Sequence, residues 1–251
     1  MSATEPTASP ASAGSVNSVF DPSVVTSFRF VDRDFDPASG QVHLRYALDD
    51  AVHFEEVITL PLAADVRDHA LPTAALDGAL DLLHLTAGVS YFKAADPAVV
   101  DTGTLRMTPG LAQLATLLYG EGLAEFRVTN GRSVATGPTF VANAKPLPAA
   151  AVPEGQAFGV GGRVLVPVGG GKDSIVTIEA LNAAGHDLEL FSVGDAGPIA
   201  RTADVAQLPR LIATRKLAPE LLALNGRGAL NGHVPVTAIV SSIAILVALL
   251  N

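Results

Sequence analysis

The residues best suited to chemistry lie in one short run, Val168-Gly169-Gly170-Gly171-Lys172-Asp173-Ser174. Consecutive glycines let a backbone approach an anion closely with its N–H groups turned toward it. The apolar run Arg163 to Val168 precedes them and reads as a strand. Ile175, Ile178 and Leu181 then share one side of a predicted helix that stops at Gly185. A helix opening at the loop adds a partial positive charge facing the same ligand. Two common phosphate loops fail here. A Walker A loop needs Ser or Thr after Gly-Lys and a glycine further upstream, but Asp173 follows Lys172. A dinucleotide fingerprint accepts Gly169 and Gly171 but needs a third glycine where Ser174 stands.

The run instead keeps Gly-Gly-x-Asp-Ser of the PP-loop pattern Ser-Gly-Gly-x-Asp-Ser, with Gly169 in place of the leading serine. That pattern belongs to ATP pyrophosphatases, which form an adenylate and release diphosphate. Gly169, Gly170, Gly171, Lys172, Asp173 and Ser174 are therefore the expected ATP-binding residues. Ser174 has a hydroxyl to donate, Lys172 a charge for phosphate oxygens. Asp173, which cannot donate when ionised, reads as a helix cap or a Mg²⁺-side ligand. The competing reading is a ligand-free strand-to-helix turn.

Other candidates stand outside the loop. His233 sits between Gly232 and an apolar run, and imidazole is the side chain that changes charge near neutrality. Arg215 and Lys216 meet a phosphate or form a solvated charged face. Tyr91 and Lys93 end a predicted helix, where a cation is favourable, and Glu125 lies close to Gly122 and Asn130. The bulk composition narrows the partners. The 251 residues carry a formal charge of −9 and no Lys/Arg run, so a nucleic-acid groove is not expected. The absence of cysteine excludes disulfides, thiolate nucleophiles and Cys-based zinc sites, and suits a reducing cytoplasm.

These candidates need a scaffold. Residues 1–19 are rich in Ser, Ala, Thr and Pro and read as a disordered tail without a secretory signal. Ser27 to Phe35, Val42 to Leu48 and Phe54 to Leu60 read as an antiparallel meander, with a turn at Asp36 to Gly40 and a break at Asp49-Asp50. Leu76, Ala79, Leu80, Leu83 and Ala87 form one helical stripe, with Pro72 near its start. Thr108-Pro109 reads as the N-cap of a second helix with Leu111, Leu114, Ala115 and Leu118 on its apolar face. The expected organisation is an α+β domain at 20–144, a linker at 145–157 and an α/β PP-loop domain with a parallel sheet at 158–251. Leu188 to Val193 is its next strand. Val234 to Leu250 is almost wholly apolar, near the lower length limit of a membrane span. It lacks an aromatic belt and flanking Lys/Arg, so a core helix packed on the sheet is expected, with no membrane.

Beyond the loop, several stretches resemble the bacterial UDP-N-acetylmuramoyl-L-alanyl-L-glutamate epimerases. They are Phe35-Asp36-Pro37 with Gly40 and Tyr46, Phe54-Glu55-Glu56, Leu85 to Lys93, Tyr119 to Phe126, the glycine loop, and Asn231-Gly232-His233-Val234-Pro235-Val236-Thr237-Ala238. The resemblance implies that ATP and Mg²⁺, with Asp173 on the metal side, serve to epimerise the terminal L-glutamate of UDP-MurNAc-L-Ala-L-Glu in the cytoplasm, yielding AMP and diphosphate. It raises His233, Lys93 and Glu125 as catalytic candidates, and Tyr91, Asn130, Arg215 and Asn231 as substrate contacts. Members of that family are longer, so the PP-loop domain is expected to be incomplete at its C-terminus, its remainder lying in a missing portion or another chain. Two alternatives share the loop: another ATP pyrophosphatase, either an amide ligase or a tRNA-modifying enzyme, and a non-catalytic ATP-binding half of a complex.

Overall fold

The computed structural model describes residues 19–63, 73–135, 137–142 and 162–251. Most of the expected tail, Pro72 and the expected linker lie outside them. Three strands open the chain: β1 (Ser27–Asp36), β2 (Gln41–Leu48) and β3 (Val52–Thr59). They form the expected antiparallel meander. Alternation decides its faces. Phe28, Phe30, Leu44, Tyr46, Phe54 and Ile58 point to one side and are buried. Arg45 points to the other, gripping Asp32 and Asp34 at 2.7 Å each. The turn before β2 needs Gly40, whose φ is 72° and whose absent Cβ would fall 2.5 Å from the Leu60 carbonyl oxygen.

α1 (Thr73–Phe92) lies across the buried face of the meander. A single apolar stripe was expected, yet from Leu83 to Phe92 every residue is buried. The sheet, α2 (Pro109–Tyr119) and α7 (Val236–Leu250) enclose it. Gly88 makes the approach possible, since a Cβ there would stand 2.8 Å from both Phe30 and the Tyr119 hydroxyl. α2 starts as expected, with Thr108 accepting the Leu111 N–H at 3.2 Å and Pro109 in its first turn. β4 (Val99–Asp101), α3 (Ala124–Thr129) and β5 (Thr139–Val141) complete this part.

The second part follows the β-α-β pattern read around the glycine loop: β6 (Arg163–Pro167), α4 (Lys172–Ala183) and β7 (Asp187–Val193). α5 (Gly197–Ala206), β8 (Arg210–Lys216) and α6 (Pro219–Asn225) extend it. β6, β7 and β8 are parallel. The expected separate sheets are one mixed sheet of eight strands, in the order β5-β4-β1-β2-β3-β8-β7-β6. The join is antiparallel, Val57, Ile58 and Thr59 of β3 pairing with Lys216, Arg215 and Thr214 of β8. The fold is thus α/β with a mixed sheet.

α4 and α5 cover one face of the parallel strands around Val166, Val168, Leu188 and Leu190. Phe191 and Ala213 face the opposite core, shared with α1, α6 and α7. The apolar terminal helix is therefore a core helix, but its main neighbour is α1 rather than the sheet. Small residues mark the contact, the Thr86 hydroxyl donating to Ser242 Oγ at 3.0 Å. Among the described residues no helix is long and apolar enough to cross a membrane.

Candidate functional site

The glycine loop begins where β6 ends. Val168 donates its N–H to the Phe191 carbonyl at 2.7 Å, beyond which the chain leaves the ladder. Its three glycines have different physical tasks. Gly170 has a φ of 76°, and a Cβ there would meet the Pro198 carbonyl carbon at 2.8 Å and the Ile199 nitrogen at 2.9 Å. It lets the loop lie against the start of α5. Gly169 and Gly171 face open space, with nothing within 4 Å of an added Cβ. Ser174 folds back and accepts the Gly169 N–H at 3.0 Å, leaving its own hydroxyl hydrogen to donate outward.

Gly171 caps α4, so the first-turn N–H groups lie beside the loop without intrahelical partners. Lys172 and Asp173 are 89% and 90% exposed and pair at 2.6 Å. The loop lies at the carboxyl edge of three parallel strands, where open α/β sheets bind ligands. Beside it, Gly170, Ile175, Ile178, Pro198 and Val205 line a crevice of about 280 Å³ between α4 and α5. No cluster of three or more His, Cys, Asp or Glu able to hold a metal exists among the described residues. Asp173 alone is too little to bind Mg²⁺, so the ion suits this loop only when nucleotide phosphates supply most of its oxygens.

A second group of expected residues converges far from the loop in sequence. Lys93, just past α1, donates to Asn231 Oδ1 at 2.7 Å and to the Gly232 carbonyl at 2.9 Å. Asn130, the cap of α3, donates from Nδ2 to the Asn231 carbonyl at 2.9 Å and the Phe126 carbonyl at 2.8 Å. His233 Nδ1 lies 3.3 Å from Glu125 Oε1, both exposed. Lys93, Glu125, Asn130, Asn231 and His233 thus form one node from α1, α3 and the loop before α7. Burial pulls the Lys93 pKa below its ordinary value.

Tyr91 and Arg215 belong to neither place. Arg215 grips Glu56 at 2.6 and 3.0 Å and donates to Ser90 Oγ at 2.9 Å. Tyr91 accepts the Ala218 N–H at 3.1 Å. Burial, then the neighbouring Glu56 charge, pushes the Tyr91 phenol pKa well up, so it is a weak proton donor. Glu56 is itself fully buried and was not singled out. A signal existed, because Phe54 and Ile58 fix Glu56 on the apolar face, where a charge requires a partner.

The MurL N-terminal domain model matches residues 19–251. Three curated relatives share the name UDP-N-acetyl-alpha-D-muramoyl-L-alanyl-L-glutamate epimerase. The protein from Xanthomonas oryzae pv. oryzae is 41% identical over 93% of this chain and 51% of its own length. Those from a Micromonospora species and Salinispora tropica are 41% and 40% identical, each over 90% of this chain. The chain spans about half the length of these relatives. No solved structure matches it.

Proposed function

Since the chain belongs to the MurL N-terminal domain family, we propose that it binds ATP at the glycine loop for the epimerisation named in its relatives. The observation that carries this reading is the loop itself, a Gly-Gly-x-Asp-Ser run at the carboxyl edge of a parallel sheet with outward-facing glycines. In the proposed reaction the substrate carboxylate attacks the α-phosphorus of ATP, forming an acyl-adenylate and releasing diphosphate. The α-proton beside a free carboxylate is a very weak acid, because its removal adds charge to an anion. Adenylation cancels that charge. A base then removes the proton, an acid returns one on the opposite face, and water splits the adenylate into AMP and the D-glutamyl product.

The chain's own residues contribute in a definite way. The N–H groups of Gly170, Gly171 and the first turn of α4 receive phosphate oxygens, and Lys172 leaves Asp173 to pair with them. Asp173 would supply one oxygen to a Mg²⁺ held mainly by the nucleotide phosphates, where the ion would offset their charge. For proton transfer the chain offers His233 and Glu125, paired and exposed. The substrate makes this a cytoplasmic step of peptidoglycan precursor synthesis. The test is AMP release by the complete enzyme that carries this chain, given ATP, Mg²⁺ and the L-glutamyl substrate. Replacing both Asp173 and Ser174 by Ala should abolish AMP while circular dichroism stays unchanged. Release of ADP, or normal turnover in the double variant, excludes the scheme.

A further inference from the structure

Lys93 presents an electrostatic imbalance that the glycine loop does not explain. Its ammonium is partly withdrawn from water, and its two acceptors, Asn231 Oδ1 and the Gly232 carbonyl, are neutral. Among the described residues no carboxylate forms an ion pair with it. A partly buried charge without a counter-charge is unfavourable, and the lowered pKa of Lys93 reflects that cost. An ammonium has three donors, so one remains unused.

The surroundings offer further donors. Asn231 Oδ1 accepts from Lys93 and from the Gly232 N–H at 2.9 Å, which turns its amide NH₂ away from both and leaves it without an acceptor among the described residues. His233 holds the Glu125 carboxylate through Nδ1, so its exposed ring has a second N–H to donate only as imidazolium. The arrangement is built rather than incidental. Leu230 donates to the Ala94 carbonyl at 2.9 Å, and Asn130 holds the Asn231 carbonyl. Gly232 adopts a φ of 157° where a Cβ would stand 3.1 Å from the Phe126 ring.

We propose that this node, formed by Lys93, Asn231 and His233, is an oxyanion-binding site that takes a carboxylate or phosphate group separate from any phosphate held at the glycine loop. The ammonium supplies the charge and the Asn231 amide the orientation, joined by the His233 ring when it is imidazolium. Occupation of the node requires no ATP.

The chain has four lysines, Lys93, Lys145, Lys172 and Lys216, so each is separately observable after lysine ¹³Cε labelling. Without nucleotide, the labelled chain is titrated with sodium acetate, with inorganic phosphate, and with sodium chloride at matched ionic strength. The Lys93 signal should shift saturably and its titration midpoint should rise with acetate or phosphate, while exposed Lys216 follows ionic strength alone. Saturation by acetate only identifies a carboxylate site, by phosphate only a phosphate site, and by both a general oxyanion site. Lys93→Gln should abolish the accompanying shifts of the Asn231 and His233 amides, and Lys93→Arg, which keeps the charge, should retain them. A Lys93 response that is linear and equal for all three salts overturns the proposal. Lys172 reports the glycine loop in the same spectra, so failure at one place is distinguishable from failure at the other.

Discussion

Two ion pairs in this chain have opposite settings. Glu56 and Arg215 meet across the join between β3 and β8, with side chains 0% and 16% exposed. Lys172 and Asp173 meet at the start of α4, 89% and 90% exposed. The first pair has exchanged water for a fixed geometry with Ser90 as a third member. The second keeps its water and can exchange partners at little cost. The difference separates integrity from chemistry. The charges that join the sheet are committed, and those at the loop are available to a ligand.

The largest expected effect lies at the committed pair. Arg215→Met leaves a buried carboxylate without its partner, a loss on the order of 3–5 kcal/mol. Chemical denaturation should show a lower midpoint, with loosening that begins at the β3–β8 join in hydrogen exchange. Pairing it with Glu56→Leu should recover much of the loss, because removing both charges avoids the stranded one. Lys172→Ala should leave the denaturation midpoint where it was. Equal sensitivity of the two pairs would undo the contrast.

The second prediction divides the glycine loop itself. Gly170→Ala forces a side chain into a left-handed backbone and against Pro198, at roughly 2–3 kcal/mol from conformation and overpacking together. Gly171→Ala meets nothing and has an ordinary extended backbone, with φ −101°. It should leave stability intact and weaken ATP binding by obstructing the close approach of phosphate. Calorimetric titration and thermal melting of the two variants check this directly. A stability loss at Gly171 as large as at Gly170 would contradict the assignment of separate tasks.

The loop's place was legible because strand, glycines and helix follow one another locally. The meander and α2 were legible for the same reason, since Val42, Leu44, Tyr46 and Leu48 alternate and Thr108-Pro109 marks a helix start. β8 was not, because Arg215 stands on the inward row after Leu211 and Ala213, so the apolar alternation is broken by the residue that Glu56 requires. β4 and β5 are three residues each, too short to show a period. The Lys93 node is a different case. Its members were each suspected, but Lys93 and Asn231 are 138 positions apart and meet only because α7 returns to pack on α1. Local pattern does not encode that return.

The smallest expected effect tests whether the committed side of the molecule also responds to protons. His84 lies on α1 with its ring centroid 5.1 Å from that of Phe30 and 4.8 Å from that of Tyr46. Its Nε2 is 3.2 Å from the Arg45 carbonyl and must carry the hydrogen, while Nδ1 has no partner among the described residues. Burial drives its pKa down from 6.5 to about 3, against the smaller opposing effect of the Arg45 hydrogen bond. Between those values the unfolded chain binds a proton that the folded chain refuses. Stability therefore falls as pH drops below 6.5 and stops falling on this account near 3. From pH 8 to pH 5.5 the loss from this residue is about 1.4 kcal/mol. His84→Gln retains a donor for the Arg45 carbonyl and removes the titrating ring, so its denaturation midpoint should change less over that interval than the parent's. An identical pH slope in the variant would mean that the imidazole is protonated inside the fold, and the closed packing of α1 on the meander would need revision.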